Sequence, residues 1–280
     1  MNPGSPVSAV VLALDEAANL PRCLASLAFS REIVVVDSGS SDGTGEIAAA
    51  LGAKVFTHVQ EGPFNIAEQR NWALDHCELS GDWVLFLDAD EVVPTDLARE
   101  LTRICAPGGT DKDAFELTPR YLFWGKWLRR TQGYPNWHPR LVARGRARFA
   151  GGVWEHFAEG ARAGRVEIPY DHYANSKGFS DWLARHDRYS TWDAGKTIEF
   201  LASPDNAHAL GTIRKLRLRK LAARLWPVRP FARFFLMYVL RGGFTEGFAA
   251  LMFCLMYFFY ECMIVIKIIE QKRLRRGEPL

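Results

Sequence analysis

Cysteine is scarce in this chain. The five residues, Cys23, Cys77, Cys105, Cys254 and Cys262, are scattered, odd in number and never in a C-x-x-C spacing. That excludes a disulfide framework and a zinc ribbon, and it fits a reducing compartment. Three nucleotide and hydrolase signatures are also missing. Without G-x-x-x-x-G-K-[ST] there is no P-loop, and without G-x-G-x-x-G after the first strand there is no classical dinucleotide turn. Without G-x-S-x-G there is no nucleophile elbow. The Val7–Leu14 run has no basic segment ahead of it and meets Asp15-Glu16 at once, unlike a signal peptide, so the catalytic part is expected to stay in the cytosol. Net charge is only +3, which argues against a general nucleic-acid binder. One local absence stands out. Between Ala207 and Thr245 there is no Asp or Glu, while Arg214, Lys215, Arg217, Arg219, Lys220, Arg224, Arg229, Arg233 and Arg241 all fall there. A block of that kind seeks phosphates, of lipid head groups or of nucleic acid.

What is present is a globular composition, 48% hydrophobic and 24% charged. The first hundred residues alternate strand and helix patterns. Strands are predicted at Val7–Leu14, Glu32–Val36, Ala53–His58 and Trp83–Leu87. Helices are predicted from Leu20, over Thr44–Leu51, Ile66–Cys77 and Pro94–Cys105. Continuous apolar strands alternating with helices predict a mostly parallel, Rossmann-like α/β sheet covered on both faces. Ligands of such sheets bind beyond the carboxyl ends of the strands. Those ends here are Leu14-Asp15-Glu16, Asp37-Ser38-Gly39 and Asp88-Ala89-Asp90. After Thr110 tryptophans and arginines mix, and helical periodicity returns at Phe179–Trp192. The domain reading is residues 1–205 for the α/β part and 206–280 for a basic, then apolar, helical region.

Two Asp-x-Asp triplets occur. Asp111-Lys112-Asp113 follows Pro107-Gly108-Gly109-Thr110 and reads as a turn. Asp88-Ala89-Asp90 ends a buried strand. Two carboxylates held together repel unless a cation lies between them. Mg²⁺ or Mn²⁺ takes oxygen ligands and shares them with phosphates, so the triplet suits a metal-bound diphosphate. The alternative is that these acids cap the helix beginning near Pro94. Asp37 also lies at a strand end, where Asp-Ser-Gly-Ser is equally good turn chemistry. Glu16 binds ligand or sits in the first helix turn.

With those residues in place the chain resembles family 2 glycosyltransferases of the GT-A fold over roughly residues 5–195. Val7–Leu20 is similar to the family's opening strand and turn, Val34–Thr44 to its nucleotide-base loop, and Asp88-Ala89-Asp90-Glu91 to its metal motif. Gln69-Arg70-Asn71, Arg140-Leu141, Trp154-Glu155, Arg188-Tyr189-Ser190 and the tail around Tyr238–Gly247 resemble one branch, the lipopolysaccharide core β-1,4-glucosyltransferases. The resemblance implies Glu16, Asp37, Ser38, Arg70 and Asp88 as donor contacts and Asp88 with Asp90 as the Mg²⁺ or Mn²⁺ site. Glu155 would be the base that deprotonates the acceptor hydroxyl, with Glu91 as its alternate. Trp154, Arg140 and Trp137 would meet the acceptor, and His138 and His172 could touch phosphate. The chain departs from the family at Asp15, where Asn is usual, and from the branch at Trp154, where His is common. The implied activity is inverting transfer of a hexose, glucose first, from a UDP-sugar to a lipid-linked glycan such as lipopolysaccharide core. Transfer to a polyprenyl phosphate and a non-catalytic sugar-binding membrane scaffold are the alternatives.

The tail carries fourteen uncharged residues from Gly247 to Tyr260, bracketed by Glu246 and Glu261, with Lys267 beyond. As helix they would span about 21 Å, short of a bilayer core of about 30 Å. A basic amphipathic helix is expected over Ile213–Trp226. Together these predict attachment to an anionic membrane at the cytoplasmic face of the inner membrane, peripheral or monotopic, with an oligomer interface or a tilted span as alternatives.

Overall fold

The computed structural model describes residues 1–62, 64–152, 155–202 and 225–280, which divide into two compact units. The first comprises Met1–Leu122 and Tyr134–Ser176. Its strands are β1 (Val7–Ala13), β2 (Glu32–Asp37), β3 (Lys54–Thr57), β4 (Trp83–Asp88), β5 (Glu91–Val92) and β6 (Ala114–Phe123). The short β7 (Lys126–Trp127) lies in the second unit. The first resumes with β8 (His138–Ala143), β9 (Phe149–Ala150), β10 (His156–Phe157) and β11 (Ala163–His172). Its helices are α1 (Leu20–Ser26), α2 (Thr44–Ala50), α3 (Ile66–His76) and α4 (Thr95–Cys105).

The main sheet runs in the order β3-β2-β1-β4-β8-β6-β11-β5. The β1, β2, β3 and β4 strands are mutually parallel, as the alternation of strands and helices predicts. β8 is antiparallel to both β4 and β6, and β5 is antiparallel to β11, so the sheet is mixed beyond β4. All seven residues of β1 are buried, because alternate side chains enter two cores. Val7, Ala9, Val11 and Ala13 pack with Leu20, Leu24 and Leu27 of α1 and with Leu97 and Leu101 of α4. Val10 and Leu12 pack on the other face with Ala67 and Ala73 of α3. A strand lined on both faces reads as a continuous apolar run.

The register fixes the site. Ala13 pairs with Asp37 on one side of β1, and Leu12 with Asp88 on the other. Two inter-strand spacings therefore separate the backbones of the two strand ends, about 10 Å. The other triplet lies at the opposite end of β4, since Trp83 pairs with Ala143 and Ala143 donates its N–H to the Asp113 carbonyl. Arg162 grips the Asp113 carboxylate at 3.0 and 3.1 Å and holds its pKa down at about 2. That triplet is a structural clamp, as its turn setting predicts.

The second unit comprises Phe123–Gly133 and Lys177–Leu280. It holds β7, α5 (Gly178–Ala202), α6 (Arg229–Phe234), a π-helical turn at Phe235–Leu240, a 3₁₀ turn at Gly243–Glu246 and α7 (Gly247–Arg275). Buried Glu246 closes the hairpin by accepting the N–H groups of Arg130 and Thr131 at 2.7 and 2.9 Å. The expected boundary at 205/206 differs from this division, because the whole of α5 packs with the tail through Ala194 and Ile198 against Ile264 and Ile268. The basic helix expected over 213–226 lies, up to residue 224, outside the described residues.

The tail helix is longer than the uncharged run suggests. α7 has 29 residues, about 43 Å at 1.5 Å per residue, and is long and apolar enough to cross a membrane. The charges that bracket the run do not end the helix because they are satisfied internally. Glu261 is 5% exposed and pairs with Arg229 at 3.0 Å, and Lys267 donates to Asp187 and Thr191.

Candidate active site

The site is built on three strand ends and on α3. The Asp37 carboxylate at the end of β2 is buried, and its Oδ1 accepts both the N–H and the hydroxyl of Ser40. Asp37 thus forms the Asp-Ser-Gly-Ser turn, with both turn bonds on one oxygen. Asp15 adopts φ +54°, the left-handed region that Asp tolerates better than most residues, and its Oδ1 accepts the Ser41 N–H at 2.8 Å. The Glu16 N–H donates to Thr44 Oγ1, and Glu16 Oε2 accepts from Asn19 at 2.7 Å, which places Glu16 in the first turn before α1. The two loops beyond β1 and β2 are thereby sewn together.

Three successive residues of α3 each fix a different loop. Gln69 donates to Ser38 Oγ at 3.2 Å and to the His58 carbonyl. Arg70 donates to the Pro139 carbonyl at 2.8 Å and to Glu155 Oε2 at 2.5 Å. Asn71 brackets Phe149, donating to its carbonyl and accepting its N–H at 2.8 and 3.0 Å. Helical spacing of 100° per residue lets neighbouring side chains reach loops on different sides.

A buried ionic cluster fills the centre. Arg140, 4% exposed at the start of β8, donates to Glu91 at 2.7 Å and Asp88 at 3.1 Å and reaches Glu155 at 3.4 Å. Arg70 adds an ion pair to the other Asp88 oxygen at 3.6 Å. His172 lies 3.4 Å from Asp90 and 3.9 Å from Glu91, with its ring tilted against Tyr121. The antiparallel pairing of Leu85 with Leu141 is what brings Arg140 to the end of β4. Four carboxylates, Asp88, Asp90, Glu91 and Glu155, therefore face two guanidiniums, an excess of two negative charges when all four are ionised and His172 is neutral.

Burial and that excess push the acids upward. Glu91 sits well above the ordinary carboxylate range through burial and the charges of Asp88 and Asp90. Asp88 is raised by burial, Asp90 and Glu155. Burial raises Glu155, and Arg140 and His138 hold it back in part. A site short of positive charge, with two oxygen-donor side chains at its mouth, fits one hard divalent cation. No group of three or more His, Cys, Asp or Glu arranged to hold a metal occurs among the described residues. A cation bound through one or two carboxylates plus substrate phosphates does not need such a group.

The remaining expected site residues occupy distinct settings. Arg70 is 0% exposed and is held by Glu155, Pro139 and the rings of Phe86 and Phe149, so it positions Glu155 and does not open onto the cleft. Arg140 is buried beneath the carboxylates. Glu91 is 0% exposed and accepts the Asp88 N–H, so it is not available as an alternate base. Trp137 is partly exposed with Arg165 over its ring at 4.9 Å, leaving one face for a sugar. His138 is half-buried, kept below its usual pKa by burial, and bonded to Asn136. Trp154 lies outside the described residues. The sequence pattern does not single out the clamps made by Asp15, Gln69 and Asn71. The run Gln69-Arg70-Asn71, three polar residues inside a helix with buried neighbours, is the signal that could have found two of them. A separate cavity of about 600 Å³ lined by Asp82, Cys105, Arg144 and Arg146 lies at the far end of β4, away from these carboxylates.

The chain is 35% identical over 108 residues to the lipopolysaccharide core biosynthesis glycosyltransferase LpsC of Rhizobium meliloti, covering 38% of this chain and 39% of that protein. It is 42% identical over 96 residues to a TPR repeat-containing protein of Synechococcus elongatus, covering 34% of this chain and 23% of that protein. The chain thus spans between about a quarter and two fifths of the length of these curated relatives. A solved structure of glucosyl-3-phosphoglycerate synthase from Mycobacterium tuberculosis, in complex with Mn²⁺ and uridine-diphosphate-glucose, is 21% identical, covering 61% of this chain and 72% of that one with a TM-score of 0.42. The family model described as glycosyl transferase family 2 matches residues 8–169, more than half of the chain, and the chain belongs to that family.

Proposed function

We propose that this chain transfers a hexose, glucose first, from a UDP-sugar to a hydroxyl of a lipid-linked glycan of the lipopolysaccharide-core type, with inversion and with Mg²⁺ or Mn²⁺. The observation that carries the reading is the Asp88–Asp90 pair at the end of β4, two strands from the end of β2 at Asp37, in a buried cluster with more carboxylates than guanidiniums. About 10 Å between the two strand ends suits a nucleoside at one and its diphosphate at the other. The LpsC name motivates the acceptor class.

In this reading Asp37 and Ser38 receive the nucleoside, and Asp88 and Asp90 hold the cation. When bound, the cation neutralises the charge that develops on the leaving diphosphate. Glu155 takes the acceptor proton. Burial raises its proton affinity, which makes it a stronger base than a solvated carboxylate, and Arg70 fixes its direction at 2.5 Å. Direct displacement at the anomeric carbon by a hydroxyl that loses its proton to one carboxylate inverts configuration. Glu155 has 9% of its side-chain surface exposed, so the acceptor hydroxyl must approach it closely and exclude water.

The test is product release by the purified full chain across a panel of nucleotide sugars with Mn²⁺ or EDTA, followed by identification of the glycosylated product. Metal-dependent UDP release with UDP-glucose, lost in Asp88→Ala and Glu155→Gln, is the expected result. Release that survives both substitutions overturns the site. Charging of a polyprenyl phosphate in place of a sugar hydroxyl overturns the acceptor class.

A further inference from the structure

We infer that the second unit docks on an anionic bilayer with α7 lying in the plane of the membrane surface, although the helix is long enough to cross it. At 100° per residue Phe248, Leu255, Phe259 and Ile266 fall within about 20° of one line along α7. All four are exposed, Phe248 by 68% and Ile266 by 60%. The buried residues Ala250, Glu261, Ile264 and Ile268 fall on the opposite side. A helix with one apolar stripe open from Phe248 to Ile266 and the other side covered matches an interfacial helix.

What covers the other side decides between lying and spanning. α5 packs along α7 from His186 against Tyr257 and Tyr260 to Ile198 beside Ile264 and Ile268. Tyr260 donates to Asp193, and Lys267 to Asp187. α5 also exposes Asp187, Arg188, Lys196 and Glu199. Were α7 to span, these charges would enter the hydrocarbon with it. Unpaired charges are strongly disfavoured there. With α7 in the plane, α5 stays in water and the stripe alone meets lipid.

Charge selects the lipid. The hairpin of the same unit sits at the amino end of the stripe, with the Trp124 ring 6.3 Å from that of Phe248. It exposes Lys126, Arg129 and Arg130, and the carboxyl end of the helix exposes Arg275 and Arg276. Among the described residues 123–133 and 225–260 the single acid, Glu246, is buried. Exposed apolar side chains flanked by cations at both ends complement an anionic headgroup layer. Trp124 of this hairpin is therefore a membrane anchor.

The experiment uses the full chain with vesicles of phosphatidylcholine, alone or mixed with phosphatidylglycerol. Co-sedimentation with the mixed vesicles is expected, reduced at least about tenfold in Trp124→Ser/Phe248→Ser, since each ring removes well over one CH₂ equivalent of buried surface. Lys126→Glu/Arg129→Glu is expected to abolish the preference for phosphatidylglycerol. These positions are exposed, and unchanged melting of the variants checks that the fold survives. Depth is read by attaching a fluorophore in turn at positions 248 and 266 and quenching it with brominated lipids. Equal depth supports the in-plane helix. Depths that differ by the roughly 27 Å between those positions, or protection of both from lipid in a dimer, overturn it. Nucleotide-sugar turnover plays no part in these readouts, so this inference and the catalytic reading fail separately.

Discussion

Arg140→Met removes the guanidinium that three carboxylates share while nearly conserving side-chain volume. Glu91 would lose its 2.7 Å partner while fully buried, and Asp88 and Glu155 would lose contacts at 3.1 and 3.4 Å. Breaking a buried pair from one side costs about 3–5 kcal/mol. For a unit of this size that corresponds to a fall in melting temperature of roughly 6–20 °C. The same change raises the excess negative charge of the cluster from two to three. At about 6 Å and an effective dielectric constant near 20, one further negative charge attracts a divalent cation by roughly 5 kcal/mol at most. The variant should therefore bind Mn²⁺ at least about tenfold more tightly than the parent. Its melting temperature should rise more on adding the cation. Thermal melts with and without Mn²⁺, and calorimetric titration of the cation, measure both. If the variant melts within about 2 °C of the parent and binds Mn²⁺ no better, the arginine is not neutralising the cluster and the charge argument for the cation falls.

Glu155→Gln keeps the shape of the side chain and removes its basicity. Turnover should fall about 10²–10⁴-fold with the donor KM changed only a few-fold, as measured by initial rates over donor concentration. Because Glu155 must be ionised to act and its pKa is raised by burial, the acidic limb of kcat against pH should lie above the ordinary carboxylate range. Asp113→Asn should leave metal-dependent turnover unchanged, since that carboxylate is bound to Arg162 at the far end of the sheet. Glu32→Gln tests the fold. Ser8, Lys54 and Ser80 donate to Glu32 and hold it at about 2 against an ordinary 4.5. At 1.36 kcal/mol per unit that is about 3 kcal/mol of stability. The folded-state value is depressed, so this stability is present above pH 4.5 and is lost as pH falls toward 2. Denaturant melts should show the parent and variant differing at neutral pH and converging over that acid window.

The parallel half of the sheet was legible because its physics is local. Val7–Leu14, Glu32–Val36 and Trp83–Leu87 are runs that nothing except a doubly covered strand explains, and their carboxyl ends name the cleft. The antiparallel half was not legible. β6, β8 and β11 carry Arg120, Arg140 and Tyr170, charged and aromatic residues whose burial depends on partners far away in sequence. Arg140 shows why. In the sequence it is an arginine in a stretch of mixed tryptophans and arginines, expected to meet the acceptor. In the fold Leu141 pairs with Leu85, and that one register places it under Asp88, a contact 52 residues apart. The same holds for Arg70, whose partner Glu155 is 85 residues away. Local patterns identify strand ends and carboxylates, and only pairing shows which cations those carboxylates meet.

The tail makes the complementary point about charge counting. A run of apolar residues ends, on paper, at its first formal charge, and by that measure Gly247–Tyr260 is too short to cross a bilayer. α7 continues past Glu261 and Lys267 because each meets an opposite charge, Arg229 or Asp187, within the same unit. Length then favours a span, and the pairing partners argue against one. Asp187 belongs to a helix that carries exposed charge along its outer side, so the device that lets α7 run on also ties it to a polar neighbour. Whether a long apolar helix crosses a membrane is settled by what is packed on its second face, and here that face holds α5. Replacing Asp187, Arg188, Lys196 and Glu199 together by leucine should remove that obstacle. Depth quenching at positions 248 and 266 should then begin to diverge, and equal depth in that variant would show that α5 is not what keeps the helix in the plane.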